Sequence, residues 1–382
     1  MRNALPLIAG LAALAGPTIG RALDLTVDSG VVENCPTSGA SARLEAGAVA
    51  YSEPVPVLAL TRYGAGHYDP SPGNNIGIGV GYGDVSGGLH GLCVALFDRA
   101  DYYAEASRDL LDILVGNHDG HTFDSGRSYQ LAMSVQSFRA DGVRLEKTLG
   151  LTLGAGWSAR LGLAASYLHG TEGDQQSFGG QVTATSSDYA VGAATWVRTQ
   201  TDIDYNTFNP FVAPGTPSGD GFSTDVELVV ADARADSFTL QAMDAIGRIY
   251  WREVPHSVRT LLNSTVVYNA NLDRDALVNG IDSRVSLAER IPTKLRLAAS
   301  LPIAGAWGAD LEDDEVKGFH FPSFGPSVGG RELGGFVHYD VRTEAVEIGA
   351  HLPWLAVSLA SNRFDLNRAS ALAASIRVSH TW

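Results

Sequence analysis

The eleven residues Trp157–Tyr167, WSARLGLAASY, restrict the fold more than any other stretch. Trp157, Ala159, Leu161, Leu163, Ala165 and Tyr167 alternate with Ser158, Arg160, Gly162, Ala164 and Ser166. A period of two is the signature of a strand with one apolar face. That face begins and ends on an aromatic ring, here Trp157 and Tyr167. Ten steps of roughly 3.3 Å give about 33 Å of strand. Tilted by about 40°, it spans roughly 25 Å, the height of the apolar band of a membrane barrel between its two aromatic girdles. A strand of a soluble sandwich has about 5–6 residues and no need of rings at both ends.

The alternation recurs. Tyr129, Leu131, Met133 and Val135 form one face, and Val143, Leu145, Leu149, Leu151 and Leu153 another, with Lys147 as an interruption that belongs near an interface. Val226–Val230, Leu295–Leu301, Val337–Val341 and Val346–Trp354 repeat the pattern. In Asn75–Asp84, NIGIGVGYGD, Ile76, Ile78, Val80 and Tyr82 alternate with glycines. A dinucleotide loop needs glycines at i, i+2 and i+5, and no start within the stretch supplies all three. The expected arrangement places the large residues toward lipid and the glycines inward, leaving room against the inner wall. Four polar segments, 169–180, 202–221, 269–280 and 309–330, are expected as long outward loops. Tyr103–Asn117 spaces Leu110, Leu111 and Leu114 helically, with Ser107 as cap, and predicts a short helix in a loop or against the lumen.

Bulk properties fit an exported barrel. The 382 residues carry 27 Lys+Arg against 42 Asp+Glu, a net charge of −15. That balance opposes nucleic-acid binding, which needs a basic stripe. Arg2, an apolar run over Leu5–Ala15 and the small residues Gly20 and Ala22 predict a signal peptide over 1–22. Beyond it no run of 18 apolar residues forms a helical span. Residues 23–56 are then an N-terminal segment, a candidate for packing in the lumen, and 57–382 the barrel. Cys35 and Cys93 are the only two cysteines. In an exported chain they are a candidate disulfide, closing a loop of about 57 residues worth on the order of 4 kcal/mol.

The C-terminal stretch Leu372–Trp382, LAASIRVSHTW, puts Leu372, Ile376, Val378, His380 and Trp382 on one face. Here the chain resembles the bacterial outer-membrane β-barrel proteins, a broad class whose last strand ends in Phe or Trp after alternating apolar residues. In that class the strand is recognised by the barrel-assembly machinery. The resemblance implies that Trp382, Val378, Ile376 and Leu372 carry the assembly signal. His380 departs from it, since an aromatic such as Tyr is more usual there. The fold class expected is thus all-β: a transmembrane antiparallel barrel of about 14 strands (range about 12–16) at roughly 25 residues per strand and turn. Its neighbours would be outer-membrane lipid and lipopolysaccharide.

No catalytic motif stands out: there is no His-Glu-x-x-His, no Gly-x-Ser-x-Gly and no phosphate loop. Asn117–His121 groups His118, Asp119 and His121, but such loops are more often solvated than metal-loaded. Asn271–Asp282 lacks calcium-loop spacing. No cofactor is implied. Inward Gln130, Arg144, Arg160, Asp340 and Arg342 would make a wet lumen. The leading functional expectation is a diffusion or transport channel for small polar solutes. A non-conducting scaffold or secretion partner is the alternative, and a barrel enzyme, with a Ser/His pair meeting across strands, is the further one.

Overall fold

A computed structural model describes residues 30–53, 55–57, 70–119, 125–154, 156–184, 189–201, 217–232, 236–262, 267–268, 278–329 and 333–382. The signal segment 1–22, His121 and most of 202–217 and 269–277 lie outside the described residues. Alternating sequence becomes strand throughout. The first half comprises β1 (Ala40–Ser52), β2 (Asn74–Leu89), β3 (Leu92–Ser107), β4 (Ser128–Gly154), β5 (Trp157–Ala184), β6 (Tyr189–Gln200), β7 (Ser218–Ala231) and β8 (Ser237–Leu262). The second comprises β9 (Val267–Tyr268), β10 (Val278–Arg290), β11 (Lys294–Ala304), β12 (Trp307–Val316), β13 (Phe319–Gly329), β14 (Gly334–Asp340), β15 (Val346–Leu352), β16 (Leu355–Ser361) and β17 (Ala371–Thr381). Two helices are described, α1 (Val31–Asn34) and α2 (Arg108–Asp119).

Every described pairing is antiparallel, and β17 pairs with β1 from Ala371↔Tyr51 to Thr381↔Ser41, so the sheet closes. Closure removes the free edge that hydrocarbon could not satisfy. The 17 strands make 14 staves. β6 and β7 lie end to end between β5 and β8: β6 pairs with Asp174–Ala184 of β5, and β7 with Ser158–Gly170. β10 and β11 likewise share one stave beside β8. The two-residue β9 pairs with the start of β6 and continues the line of β8.

Tight turns such as His90–Gly91 and Gly305–Ala306 gather at the end that holds Ala40 and Trp382. The strand ends that flank the longer connections 53–73 and 108–127 lie at the other end, and the ends of β6 and β7 that flank 201–217 lie part-way along their stave. In outer-membrane barrels the short-turn end and the opposite end are the periplasmic and outer ends. Lys147 meets the first of them: its Nζ donates to the His90 carbonyl at 3.4 Å in the β2–β3 turn.

The outward face carries Leu92, Val94, Leu96, Val143, Leu145, Leu151, Leu163, Leu240, Leu311 and Ile348, all exposed. Trp157, Phe238, Trp307 and Trp354 rim this belt at the short-turn end, and Tyr167, Phe222 and Tyr250 at the other. Exposed apolar surface on this scale is untenable in water but natural in lipid.

Several expectations are corrected. In β2 the faces are reversed: Ile76, Ile78, Val80 and Tyr82 point inward and are 1–6% exposed, and the glycines point out. The inward rings and branched chains fill the lumen with Val49, Phe97, Phe138, Leu168, Ile249 and Phe321. Outside, Tyr102 of β3 lies over Gly77 and Gly79 and supplies the side chain they lack. Residues 169–180 and, apart from the Lys317–Gly318 turn, 309–329 are strand, not loop; their polar residues line the inner face or stand beyond the belt. Ala40–Ser52 is wall rather than plug, because Arg43, Glu45, Val49 and Tyr51 point in while Leu44 points out. The helix starts only at Arg108: Tyr103–Ala106 pair with β4, and Ser107 Oγ accepts from Leu110 N at 3.3 Å. Its Leu110 and Ile113 pack on Tyr129, Leu131 and Val182. Those residues share the outward face with Leu145 and Leu151 along the unbroken β3–β4 register, so α2 lies on the outer wall.

Candidate functional site: a lumen closed in three layers

At the short-turn end the chain turns inward before β1. Cys35, at the end of α1, forms the disulfide with Cys93 on the inward face of β3, with Cα atoms 5.7 Å apart. Val32 N donates to Glu227 Oε2 of β7 at 2.7 Å, and Thr148 Oγ1 of β4 donates to the Val31 carbonyl at 3.3 Å. A Cβ on Gly162 would come within 2.8 Å of Val31 Cβ, so a bare backbone there is what admits the segment. Three strands and one covalent bond therefore hold a floor across the barrel.

Above the floor is a layer of buried ions. Arg144 reaches Glu146 at 3.2 Å and Asp225 at 3.1 Å, and Arg43 pairs with Asp84 and Glu45. Arg99 of β3 grips Asp101 at 2.9 and 2.7 Å and, across the lumen, Asp244 of β8 at 2.9 and 2.6 Å. Lys294 of β11 donates to Asp101 at 2.9 Å, Tyr103 to the same carboxylate at 2.9 Å, and Ser223 to Asp244 at 2.5 Å. The left-handed conformation of Asp244 (φ 53°) belongs to a bulge in β8 where the register with β7 shifts, which aims that carboxylate inward. Between Arg99, Arg144, Asp225 and Lys294 remains a cavity of about 20 Å³, room for one or two waters.

The third layer is apolar and aromatic. Trp251 rests on Gly170, Gly173 and Gly219, and donates its indole N–H to Glu289 at 2.6 Å. Gln136 donates to the other oxygen of Glu289 at 3.1 Å. Beyond this roof the inner wall is polar and solvent-exposed, with Ser128, Gln130, Ser134, Ser177, Gln181 and Thr183 facing a vestibule. At its rim, in the β12–β13 turn, the Lys317 ammonium stands 5.2 Å from the Tyr103 ring centre. Burial holds its pKa below the usual lysine range, against the opposing pull of Glu105 and Glu289.

The sequence-predicted residues fall in different places. Arg144 is in the ionic layer and Gln130 in the vestibule. Arg160 is on the inward face of β5 near the floor and is exposed. Asp340 is buried and caps the β14–β15 turn, accepting from Thr343 N at 2.7 Å and Thr343 Oγ1 at 2.8 Å. Arg342 lies over Phe319 and Phe321 and donates to Glu53 at 2.7 Å. Leu372, Ile376, Val378 and His380 occupy alternate positions of β17, and Trp382 follows its last residue. Arg43, Arg99, Asp101, Glu227, Asp244 and Lys294 were not singled out from sequence. Their signal was a charge at an inward position of an alternating strand, as in Arg99 and Asp101 of LFDRADYY.

Thr199 Oγ1 lies 2.8 Å from His256 Nδ1, a hydroxyl–imidazole contact between β6 and β8. Asp310 lies between Ser300 at 2.5 Å and His338 at 3.2 Å, so the hydroxyl faces a carboxylate rather than an imidazole.

A closed 14-stave antiparallel ring with an apolar, aromatic-edged belt and a charged lumen defines the chain as an outer-membrane β-barrel. No family model matches it, and no curated protein does. Among solved structures it is similar to the outer-membrane protease OmpT of Escherichia coli, at 8% identity and a TM-score of 0.23, covering 91% of this chain and 98% of that one. It is similar to the toluene transporter TbuX of Ralstonia pickettii at 11% identity and a TM-score of 0.30, with 90% and 88% covered. The toluene transporter TodX of Pseudomonas putida gives 11% identity and a TM-score of 0.22, with 95% and 94% covered. Likenesses this slight assign no activity.

Proposed function

We propose that the protein is a gated transport channel of the outer membrane, closed in the state described, that passes small polar solutes when its floor and ionic layer rearrange. One observation carries the reading: between the floor and the apolar roof, a layer of buried paired ions crosses the lumen. Each buried ion loses several kcal/mol of hydration, and a well-packed apolar core of the same volume is often as stable or more so. Ionisable groups at membrane depth are functional by default, marking paths for ions or solutes. A barrel needing only rigidity has no use for Arg99, Arg144, Lys294 and their carboxylates. Export by the 1–22 signal and insertion through the Trp382 strand are part of the same proposal.

Planar-bilayer recording tests it. The intact protein should show rare, small openings. Removing residues 23–38 together with C93S should give sustained current. Folded barrel that stays silent in both forms rejects the channel.

The tethered floor and the near absence of internal space favour a second reading, a non-conducting scaffold that presents its loops to a partner. Under that reading the floor deletion abolishes partner capture and leaves conductance at zero.

A further inference from the structure

The outer wall between β8 and β10 carries a repulsion that no described residue relieves. Arg248 and Arg290 are directly paired across the ladder. Arg248 shares its face with exposed Ile246 and Tyr250, and Arg290 follows Glu289, which points into the lumen, so both guanidiniums face outward and are exposed. Directly opposed side chains in an antiparallel pair have Cβ atoms about 4.5–5.5 Å apart, and like charges there destabilise the sheet. Neither arginine has an ion-pair partner among the described residues. Arg252, 67% exposed, extends the same face beyond Tyr250. The nearby acid on this face, Asp220, already accepts the Tyr167 hydroxyl at 2.7 Å and lies 3.9 Å from Arg252. Three guanidiniums thus stand around Tyr250, and the Asp220 carboxylate lies near Arg252 alone.

The depth of this cluster decides its chemistry. It lies where the belt ends, beside Phe222 and Tyr250 and at the end opposite the termini, with Ile246 immediately below it. A ligand here has an apolar part against the belt and an anionic part at the aromatic rim. Arginine is suited to phosphate because its planar fork donates bidentately and is weakly hydrated. We propose that Arg248 and Arg290 jointly bind one phosphate of a phosphorylated outer-leaflet lipid, with Arg252 as a further donor and Tyr250 against the sugar or glycerol. The site stands whether or not the lumen conducts.

The full folded chain would be placed in nanodiscs of phosphatidylcholine containing bis-phosphorylated lipid A. Lipid retained after detergent extraction would be counted by native mass spectrometry. Wild type should keep lipid A, and R248Q/R290Q should keep about tenfold less, as expected when charge-assisted bidentate bonds are lost. Dephosphorylated lipid A and inorganic phosphate should neither bind comparably nor displace the lipid. Because the double substitution removes a repulsion, the variant should keep its heat-modifiable gel mobility. R290K, which keeps the charge but loses the fork, covers the case of poor assembly and should show intermediate retention. Equal retention by wild type and either variant, or equal binding of the dephosphorylated lipid or free phosphate, overturns the proposal.

Discussion

Arg99 and Asp244 clasp each other across the lumen through two parallel hydrogen bonds of 2.9 and 2.6 Å, joining β3 to β8. No described wall hydrogen bond connects those strands, so this pair ties parts of the ring four staves apart. Removing one member of a buried pair leaves a charge with no counterion and costs about 3–5 kcal/mol. Asp244→Ala is expected to lower stability by that order, because Arg99 and Lys294 must then share Asp101. Arg99→Ala/Asp244→Ala should recover part of the loss, with a coupling energy of about 0.5–3 kcal/mol. Urea-unfolding midpoints in lipid vesicles check this; strictly additive losses would show that the clasp contributes nothing of its own.

The Cys35–Cys93 bond holds the floor on one side, and Glu227 holds it on the other. Reduction, or Cys35→Ser/Cys93→Ser, should lower stability by about 4 kcal/mol in the chain-entropy model. The barrel wall does not depend on the bond, since β1–β3 are fully paired without it. Reduced protein should therefore keep its strand content by circular dichroism while bilayer openings become longer. Loss of strand signal on reduction would show that the bond holds the wall as well.

Much of the architecture was legible because the belt repeats a simple rule. WSARLGLAASY reports the height of the belt, its two rims and its two faces, and the chain end shows the same alternation up to Trp382. Which face of NIGIGVGYGD meets lipid was not legible, because alternation gives a period and no sign. In β2 the apolar side chains serve a packed lumen instead. The segments 169–180 and 309–330 were misread for a related reason: strands that rise beyond the belt lose their apolar face, and polar strand resembles loop. The ionic layer was hidden because its members are far apart in sequence. Arg99 and Asp244 are 145 residues apart, and only ring closure brings them together.

The reversed faces of β2 give a sharp test. Ile78 is buried in the lumen, whereas a Cβ on outward Gly79 would meet Tyr102 Cβ at 3.5 Å, an ordinary contact. Ile78→Ala should cost about 2–5 kcal/mol as a core truncation. Gly79→Ala should cost less than about 1 kcal/mol, within the range of a surface change. Thermal loss of heat-modifiable gel mobility compares the two. The opposite ranking would restore the lipid-facing assignment of Ile78.

Trp251 shows how tightly the roof is fitted. A Cβ on Gly170 or Gly219 would lie 2.6 Å from the indole, and one on Gly173 would lie 2.7 Å from it. These glycines come from β5 and β7, and the ring that fills them comes from β8. Gly173→Ala therefore drives a methyl into a rigid ring, and overpacking of this kind costs about 1–3 kcal/mol. Trp251→Phe removes the bulk instead and deprives Glu289 of its indole donor, leaving Gln136 and Gln175 to hold the carboxylate. Losing one hydrogen bond to a charged group costs about 1.5–3 kcal/mol. The two variants should separate on conductance: Gly173→Ala leaves the roof shut, while Trp251→Phe thins it and increases opening. Combined in one chain, the smaller ring should accept the new methyl, so the double variant should be more stable than the sum of the two losses predicts. Additive losses in urea would mean that the indole does not rest on this seat.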